Sequence, residues 1–586
     1  MQISQEKGLF HTSVFLRRRK VLGLIMVATS LILVFGGLFS ASAQSTYVNL
    51  NEDLYHQIER YETKSGVLSP YFFSSVKPYK RDAVVSFFNY ADSTGLLTSN
   101  SDKFNRSYFL TDSREFASAE TGLSKRPVFK KLYTYKSDFS QVREKDFDLH
   151  INPVLYAGYG KDNLQEDPLY VNTRGFELRS TVDGKVGIYT FVTENQMRLP
   201  FYVQQQVNGY RVLPHELLWK RFKTNGADFL QARAYISFRA TKHIDVQFGQ
   251  DRTFIGNGYR SMILSDWSPP ALFLRTNLKV WKINYMYQLS RLNADVLTSP
   301  AGTLIRGRYP QKFFAFHQAS INLGKKVNVS VFESVIFSPK DPTTTDYFDL
   351  GYLNPVIFYR SVEQQFGSPD NVILGTDFRW LMAKNLSVYG QFTLDEFVLS
   401  NMLAGNGWWG NKFGIQGGVK ATDVFGISNL DLQLEGNVAR PYTYSQSSKY
   451  LSYSHYRQPL AHPLGANFTE AIGILRYQPL PGLLITGKAI AYKTGKDGAD
   501  ENWGGDILKE NDDNRAGNTG NKIGQGRDTR VFFGELHVSH MIRHNLFIDF
   551  RQTIRRSKSE LPDLDNSTNL STIAVRLNIA PRTYEY

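Results

Sequence analysis

The chain has 586 residues, with 68 Lys+Arg against 54 Asp+Glu and no cysteine. The missing cysteine excludes a disulfide framework, a thiolate metal site, a cysteine nucleophile and an acylated lipoprotein anchor. A mean hydropathy of −0.33 excludes a polytopic helical membrane protein, which needs repeated apolar runs of about 20 residues, and 14% aromatic residues exclude a disordered chain.

The first predicted element is a targeting segment. One long apolar run, Val21–Phe39, follows Arg17, Arg18, Arg19 and Lys20 and precedes Ala41, Ser42 and Ala43. That order predicts a secretory signal peptide over residues 1–43, cleaved before Gln44; an uncleaved membrane anchor is the alternative. Removal leaves an exported basic chain. A basic balance outside the cytoplasm argues against nucleic acid as a partner and points to anionic lipid, lipopolysaccharide or acidic polysaccharide.

A helical region follows, assigned to residues 44–145. Asn51 is placed to cap a helix whose apolar residues Leu54, Ile58 and Tyr61 recur at helical spacing, and Gly66 stands where it should stop. Val84, Val85, Phe88 and Ala91 share one face of a second helix, and a third begins near Ser101 with Phe104 and Tyr108. Helices this short need tertiary partners.

After about Phe147 the period changes from 3.6 to 2. Leu430, Leu432, Leu434 and Val438 alternate with Asp431, Gln433, Glu435 and Asn437; Leu546, Ile548, Phe550 and Ile554 stand opposite Asp549, Arg551, Thr553 and Arg555. Short connections, such as Val182–Lys185 and Met541–His544, alternate with long ones near 157–171, 196–227, 251–270, 291–312, 338–371, 397–410, 441–466, 494–529 and 556–569. The expected fold is an all-β transmembrane antiparallel barrel of about 18 strands over residues 146–586, with periplasmic turns on one rim and extracellular loops on the other. One strand breaks phase: Glu333 falls with Val327, Val329 and Val331, so a β-bulge near Phe332 is expected to return it to the lumen.

No enzyme signature is present: there is no G-x-S-x-G elbow, no H-E-x-x-H and no P-loop. No cofactor and no metal site are expected. His455 and His462 lack ligand spacing, and the acidic stretch Asp497–Asn514 reads as a solvated loop rather than a calcium site. Tryptophan is more suggestive. Trp219, Trp267, Trp408, Trp409 and Trp503 lie in predicted long loops, where an indole face suits a sugar ring and nearby Asp, Asn and Arg suit its hydroxyls or carboxylates. Loop packing or an interfacial girdle is the alternative reading.

The stretches Gly249–Leu274 and Tyr352–Gln365, with Asp370-Asn371, Gly375-Thr376-Asp377 and Tyr389-Gly390-Gln391 to Asp395, resemble the capsule-assembly Wzi family, in particular its gliding-motility-associated branch. The helical pattern Leu54, Ile58, Gly66, Leu68 and Pro70 is similar to that family's N-terminal bundle. The resemblance implies an eighteen-stranded barrel with a periplasmic bundle, an occluded lumen and an extracellular face that holds surface polysaccharide. It also implies a tight extracellular turn at Gly256-Asn257-Gly258, with Arg252, Tyr259, Asp266 and Trp267 near the mouth. Asn354, Arg360 and Glu363 belong to a segment expected to fold inward and help plug the pore.

The expected function is therefore non-enzymatic: an outer-membrane barrel that binds or organises capsular polysaccharide and supports gliding or adhesion. Polysaccharide-binding candidates are Arg252, Tyr259, Asp266, Trp267, Trp408, Trp409 and Trp503. A diffusion porin or oligosaccharide channel is the first alternative, since lumen-facing Asp431, Glu435, Asp549, Arg551 and Arg555 suit a charged pore. The second is an anchor for other surface or gliding proteins. Lipid and lipopolysaccharide would surround the wall in each case.

Overall fold

The computed structural model describes residues 45–118, 120–223, 225–297, 307, 309–338, 350–356, 358–367 and 369–586. The expected signal peptide lies outside the described residues. Among the described residues three helices come first: α1 (Glu52–Ser65), α2 (Arg81–Ser93) and α3 (Asn100–Asp112). Asn51 Oδ1 accepts from Asp53 N at 3.0 Å, and Gly66 ends α1 in the left-handed conformation at φ 68°. Ser99 and Asp102 form a capping box at the start of α3. Ile58, Tyr61, Val84, Phe88, Ala91 and Phe109 make one core, so each short helix is held by the other two.

Eighteen strands then close on themselves. They are β1 (Phe147–Asp162), β2 (Leu169–Val182), β3 (Val186–Arg198), β4 (Gly226–Arg239), β5 (Ile244–Asp251) and β6 (Ala271–Val280). The wall continues through β7 (Ile283–Asn293), β8 (Gln311–Leu323), β9 (Val327–Phe337), β10 (Asn371–Ala383), β11 (Leu386–Glu396) and β12 (Lys412–Ala421). It ends with β13 (Leu430–Ala439), β14 (Phe468–Leu480), β15 (Leu483–Lys496), β16 (Arg527–Arg543), β17 (Leu546–Ser559) and β18 (Asn566–Leu577). Every neighbour is antiparallel, and β18 closes on β1 from Leu570↔Asp162 to Leu577↔Leu155. Closure leaves no sheet edge to satisfy in an apolar medium. Below the seam, Ser140–Arg143 pairs with the remaining edge of β1.

The outer face carries exposed Leu434, Ile548, Phe550, Ile554, Ile573 and Val575, while Asp431, Glu435, Asp549 and Arg555 are buried on the inner face. Among the described residues no helix is long and apolar enough to cross a membrane; the apolar wall is built from strands instead.

The two rims differ as the connection lengths predict, with three departures. The connections expected near 157–171 and 556–569 contract to 163–168 and 560–565 because the strands run on. Gly160 makes β1 read as loop, yet a Cβ there would lie 2.5 Å from the Thr572 Cγ2 of β18, so glycine serves close strand packing. A short connection centred on Lys279 predicts Trp281 in a strand, but Trp281 lies in the β6–β7 turn itself.

The third departure is Glu333. The β8–β9 ladder runs unbroken from Phe313↔Phe337 to Leu323↔Val327, so there is no bulge and Glu333 stays on the outer face. It is buried there because the described residues 350–356 and 358–366 fold down over the outside of the wall. The backbone N–H groups of Tyr359 and Arg360, at the start of α5 (Tyr359–Phe366), donate to its carboxylate at 2.7 and 3.0 Å. Here α4 is the earlier helix Phe201–Tyr210. His317 lies 3.2 Å from Glu333 and stacks on Tyr359 at 4.4 Å. Tyr352, Tyr359 and Val362 bury against Tyr287, Ala315, Val335 and Val372. Asn354, Arg360 and Glu363 therefore sit outside the barrel, contrary to their expected inward position. An outward carboxylate on an apolar wall needs donors, and the strap supplies them.

Candidate functional site

The lumen is filled from three directions. From the short-turn rim, α1 brings Glu59 to within 2.7 Å of Lys420 and 2.6 Å of Lys77. Glu62 pairs with Arg379, and Arg60 bonds Asp431 at 2.9 Å. Ser101 and Asn105 of α3 bond Gln478, and Leu68 N donates to Lys325 O in a wall turn at 2.8 Å.

From the long-loop rim, the 252–270 connection dives inward. Phe254–Ile255 pairs antiparallel with Val76–Lys77 of the N-terminal region, so Gly256-Asn257-Gly258 lies deep in the lumen rather than at an extracellular turn. Gln391 Nε2 donates to Ile255 O at 3.0 Å, and Gln391 Oε1 accepts from Met262 N at 2.8 Å. Asn257 Nδ2 reaches Asp377 Oδ1 at 3.4 Å. Glu435 accepts from Tyr259 N and Arg260 N at 2.6 and 3.0 Å. The glycines are steric requirements: a Cβ on Gly256 (φ +124°) would lie 2.1 Å from Gln391 Nε2, and one on Gly258 would lie 2.5 Å from Gln416 Oε1. Inward-facing wall residues thus hold the loop in place of solvent.

The third filler was not anticipated from sequence. After β18, residues 578–586 turn back and ascend the lumen. Arg551 donates to Arg582 O, Tyr202 OH of α4 to Tyr584 O at 2.6 Å, and Arg555 Nε to Tyr586 O at 3.0 Å. Glu585 meets Lys488 at 2.5 Å and accepts from Tyr259 OH.

Two cavities lie between these fillers among the described residues. The deeper one, about 270 Å³, is bordered by Arg252, Tyr259, Asp266 and Trp267 together with Glu52, His56, Lys488 and Glu585. The structure therefore brings four of the sequence-predicted residues together, below the mouth rather than at it. Arg252 donates to His215 O, and the His215 ring packs on Trp267 at 4.4 Å. Burial, with Arg252 alongside, pushes the His215 imidazole down to about 3, so it is neutral at physiological pH.

The upper cavity is a vestibule of about 510 Å³ beneath the 199–225, 440–467 and 497–526 connections. Its border includes Tyr202, Tyr210, Trp267, Tyr492 and Tyr586, the bases Arg457, Lys496, Lys509 and Arg555, and the acids Asp497 and Asp506. Trp267 borders both cavities and forms the vestibule floor with Tyr586, ring centroids 4.9 Å apart. Flat rings beside fixed charges can hold sugar faces and their hydroxyl or carboxylate groups.

The other predicted tryptophans border neither cavity. Trp408 and Trp409 lie on the 397–411 loop, bonded to the 497–526 loop through Trp409 N and Asn518 O at 3.0 Å. Trp409 is covered by Arg515 at 4.0 Å and Lys412 at 5.1 Å. Trp503 Nε1 donates to Glu501 at 3.0 Å, and Trp503 N to Asp497 at 2.7 Å. The acidic loop spends its carboxylates locally: Asp497 pairs with Lys509, Glu501 with Arg527 and Asp512 with Arg515. His455 Nδ1 accepts from Asn293 N at 3.0 Å, and His462 lies 2.8 Å from Glu470. Among the described residues no His, Asp and Glu group could hold a metal ion.

No family model matches the sequence, and no curated protein matches it. Solved structures do. The chain is similar to Wzi of Escherichia coli, described as an outer membrane protein involved in group 1 capsule assembly and a carbohydrate-binding β-barrel. The TM-score is 0.54 at 12% identity, over 92% of this chain and 100% of that one. OprD of Pseudomonas aeruginosa aligns at TM-score 0.38 and 12% identity, over 73% of this chain and 94% of that one. OccK8 (OprE) of the same organism aligns at TM-score 0.39 and 9% identity, over 73% and 98%. At these identities the likeness to Wzi establishes a shared barrel fold.

Proposed function

We propose that this chain is an outer-membrane barrel that retains surface polysaccharide at its extracellular mouth, by binding rather than catalysis. The long-loop rim then faces outward and the helical region lies in the periplasm. The observation that carries the reading is the vestibule: an aromatic-walled, charge-lined cavity under three long loops, floored by Trp267 and Tyr586 above a filled lumen. Carbohydrate binding by the structurally similar Wzi, as its description states, supports it.

Retention works through repetition. Each sugar contact contributes about 1 kcal/mol, as neutral hydrogen bonds do, and a polymer engages several barrels or several contacts at once. Arg252, Tyr259 and Asp266 support the floor from below, while Trp408, Trp409 and Trp503 extend the surface along the rim. A contribution to gliding or adhesion would follow from holding polymer at the cell surface.

The porin alternative is disfavoured by what the lumen-facing charges do. Asp431 is held by Arg60, Glu435 by the 259–260 backbone, Asp549 by Arg576, and Arg551 and Arg555 by the terminal segment. The deciding experiment is glycan-array binding by the detergent-purified protein, followed by capsule retention on deletion cells. Binding to acidic capsular polymers, weakened by Trp267→Ala and by Lys509→Ala, supports the reading. Absence of binding by the unaltered protein, with cell-bound polysaccharide unchanged on deletion, overturns it.

A further inference from the structure

Residues 121–137, between α3 and the wall, contain Lys125, Arg126, Lys130, Lys131 and Lys136 and no acidic residue. Among the described residues none of these five bases is in an ion pair. The segment is a tight hairpin: Ser124 N donates to Thr134 O at 3.0 Å, Val128 N to Leu132 O at 2.8 Å, and Lys136 N to Gly122 O at 2.8 Å. Its base is fixed by the Arg114 guanidinium over Tyr135, 3.2 Å from the ring centre, and by Phe139 N donating to Asn152 of β1 at 2.8 Å.

The tip is the anomaly. Phe129 and Lys130 occupy the two turn positions with φ 50° and 60°, a conformation that favours Asn and Gly. A bulky residue there is strained, and Phe129 is also 86% exposed, with the preceding Val128 37% exposed. Among the described residues no aromatic or cation–ring contact covers Phe129. The same rim shows the pattern again at Trp281, with φ 54°, 75% exposure and Lys282 over its ring at 5.0 Å. An aromatic ring flanked by lysine is the composition of a membrane–water interface.

We propose that the 122–136 hairpin is a lipid-surface anchor. Phe129 enters the headgroup boundary of the leaflet at the short-turn rim, and the five bases bind anionic phospholipid headgroups there. An acidic protein partner fits the charge but not the exposed ring, whereas a bilayer already borders this rim and answers both. The inference depends on the membrane-spanning wall and is independent of any polysaccharide.

The cysteine-free chain permits a clean test. A nitroxide on Phe129→Cys in the full-length protein is read by electron paramagnetic resonance in phosphatidylcholine vesicles, with and without phosphatidylglycerol. Collision with a water-soluble nickel complex should fall about threefold when phosphatidylglycerol is present, and collision with oxygen should rise. Lys130→Gln with Lys131→Gln should abolish that change, while a label on Ser118→Cys should stay water-accessible in both. Heat-modifiable migration establishes that each variant is folded. A label equally exposed to nickel in both vesicles overturns the anchor, and equal insertion in both overturns the role of anionic headgroups.

Discussion

Lys420 Nζ of the wall and Glu59 Oε2 of α1 lie 2.7 Å apart, joining barrel and helical region across the short-turn mouth. Glu62 and Arg379 make a second joint beside it. Glu59→Ala combined with Glu62→Ala would leave Lys420, Lys77 and Arg379 unpaired, and removing one side of a buried pair costs about 3–5 kcal/mol. The unaltered barrel should be nearly silent in planar bilayers, and the double variant should pass steady current. A silent double variant would mean that α1 is not what closes the mouth.

Acid should loosen the helical region through a different pair of carboxylates, Glu52 and Asp102. Burial raises the Glu52 carboxyl, but Lys488 and Arg476 outweigh it and hold it at about 2. Burial also acts on Asp102, and Arg60, the Ser99 N–H and Lys64 bring it to about 2. Both values lie below the ordinary carboxylate range, so their stabilisation is complete above about pH 4.5 and is lost as pH falls toward 2. Corrected for its intrinsic pH dependence, amide exchange of α1 and α3 should be constant from pH 7 to about pH 5 and accelerate below that. Acceleration already at pH 6 would point to other groups.

At the vestibule, Tyr210→Ala and Lys509→Ala should each weaken binding of a short oligosaccharide about fivefold, the equivalent of about 1 kcal/mol. The loss should be larger for long polymer, because repeated contacts multiply. Trp409→Ala should have less effect, since Arg515 and Lys412 already cover that ring. Isothermal titration with matched oligomers and polymer checks both.

On the outer wall, Glu333→Ala removes the acceptor for Tyr359 N and Arg360 N. Losing a buried hydrogen-bonding partner costs about 1–3 kcal/mol, so the strap should detach and become sensitive to protease around residues 350–367. Glu333→Gln, which keeps one acceptor oxygen, should be intermediate. Equal resistance in all three proteins would show that Val362, Tyr352 and their apolar contacts hold the strap alone.

Much of the wall was legible because strand period is local. Leu430–Ala439 alternates residue by residue, and the strand has those limits. Asn51 and Gly66 mark the ends of α1 for equally local reasons of capping. The interior was less legible. Glu435 reads as a pore charge, but its role is to receive two backbone N–H groups from a connection 175 or more residues earlier. Glu333 shows the converse error: an acid out of phase suggested a bulge, whereas a distant segment neutralises it in place. Trp267 was recognisable as a candidate, but Tyr202, Tyr210 and Tyr586, its partners around the vestibule, carry no local signal beyond being aromatic. Their meeting depends on which way long connections fold.

Residues 578–586 carry a consequence for biogenesis. They follow the last strand yet occupy the bore that this strand helps to enclose, held on several sides from Arg551 to Tyr202. Threading such a rod through a finished cylinder would mean breaking its polar contacts in passage. The β1–β18 seam should therefore shut around a tail already in place, making closure and loading a single event during insertion.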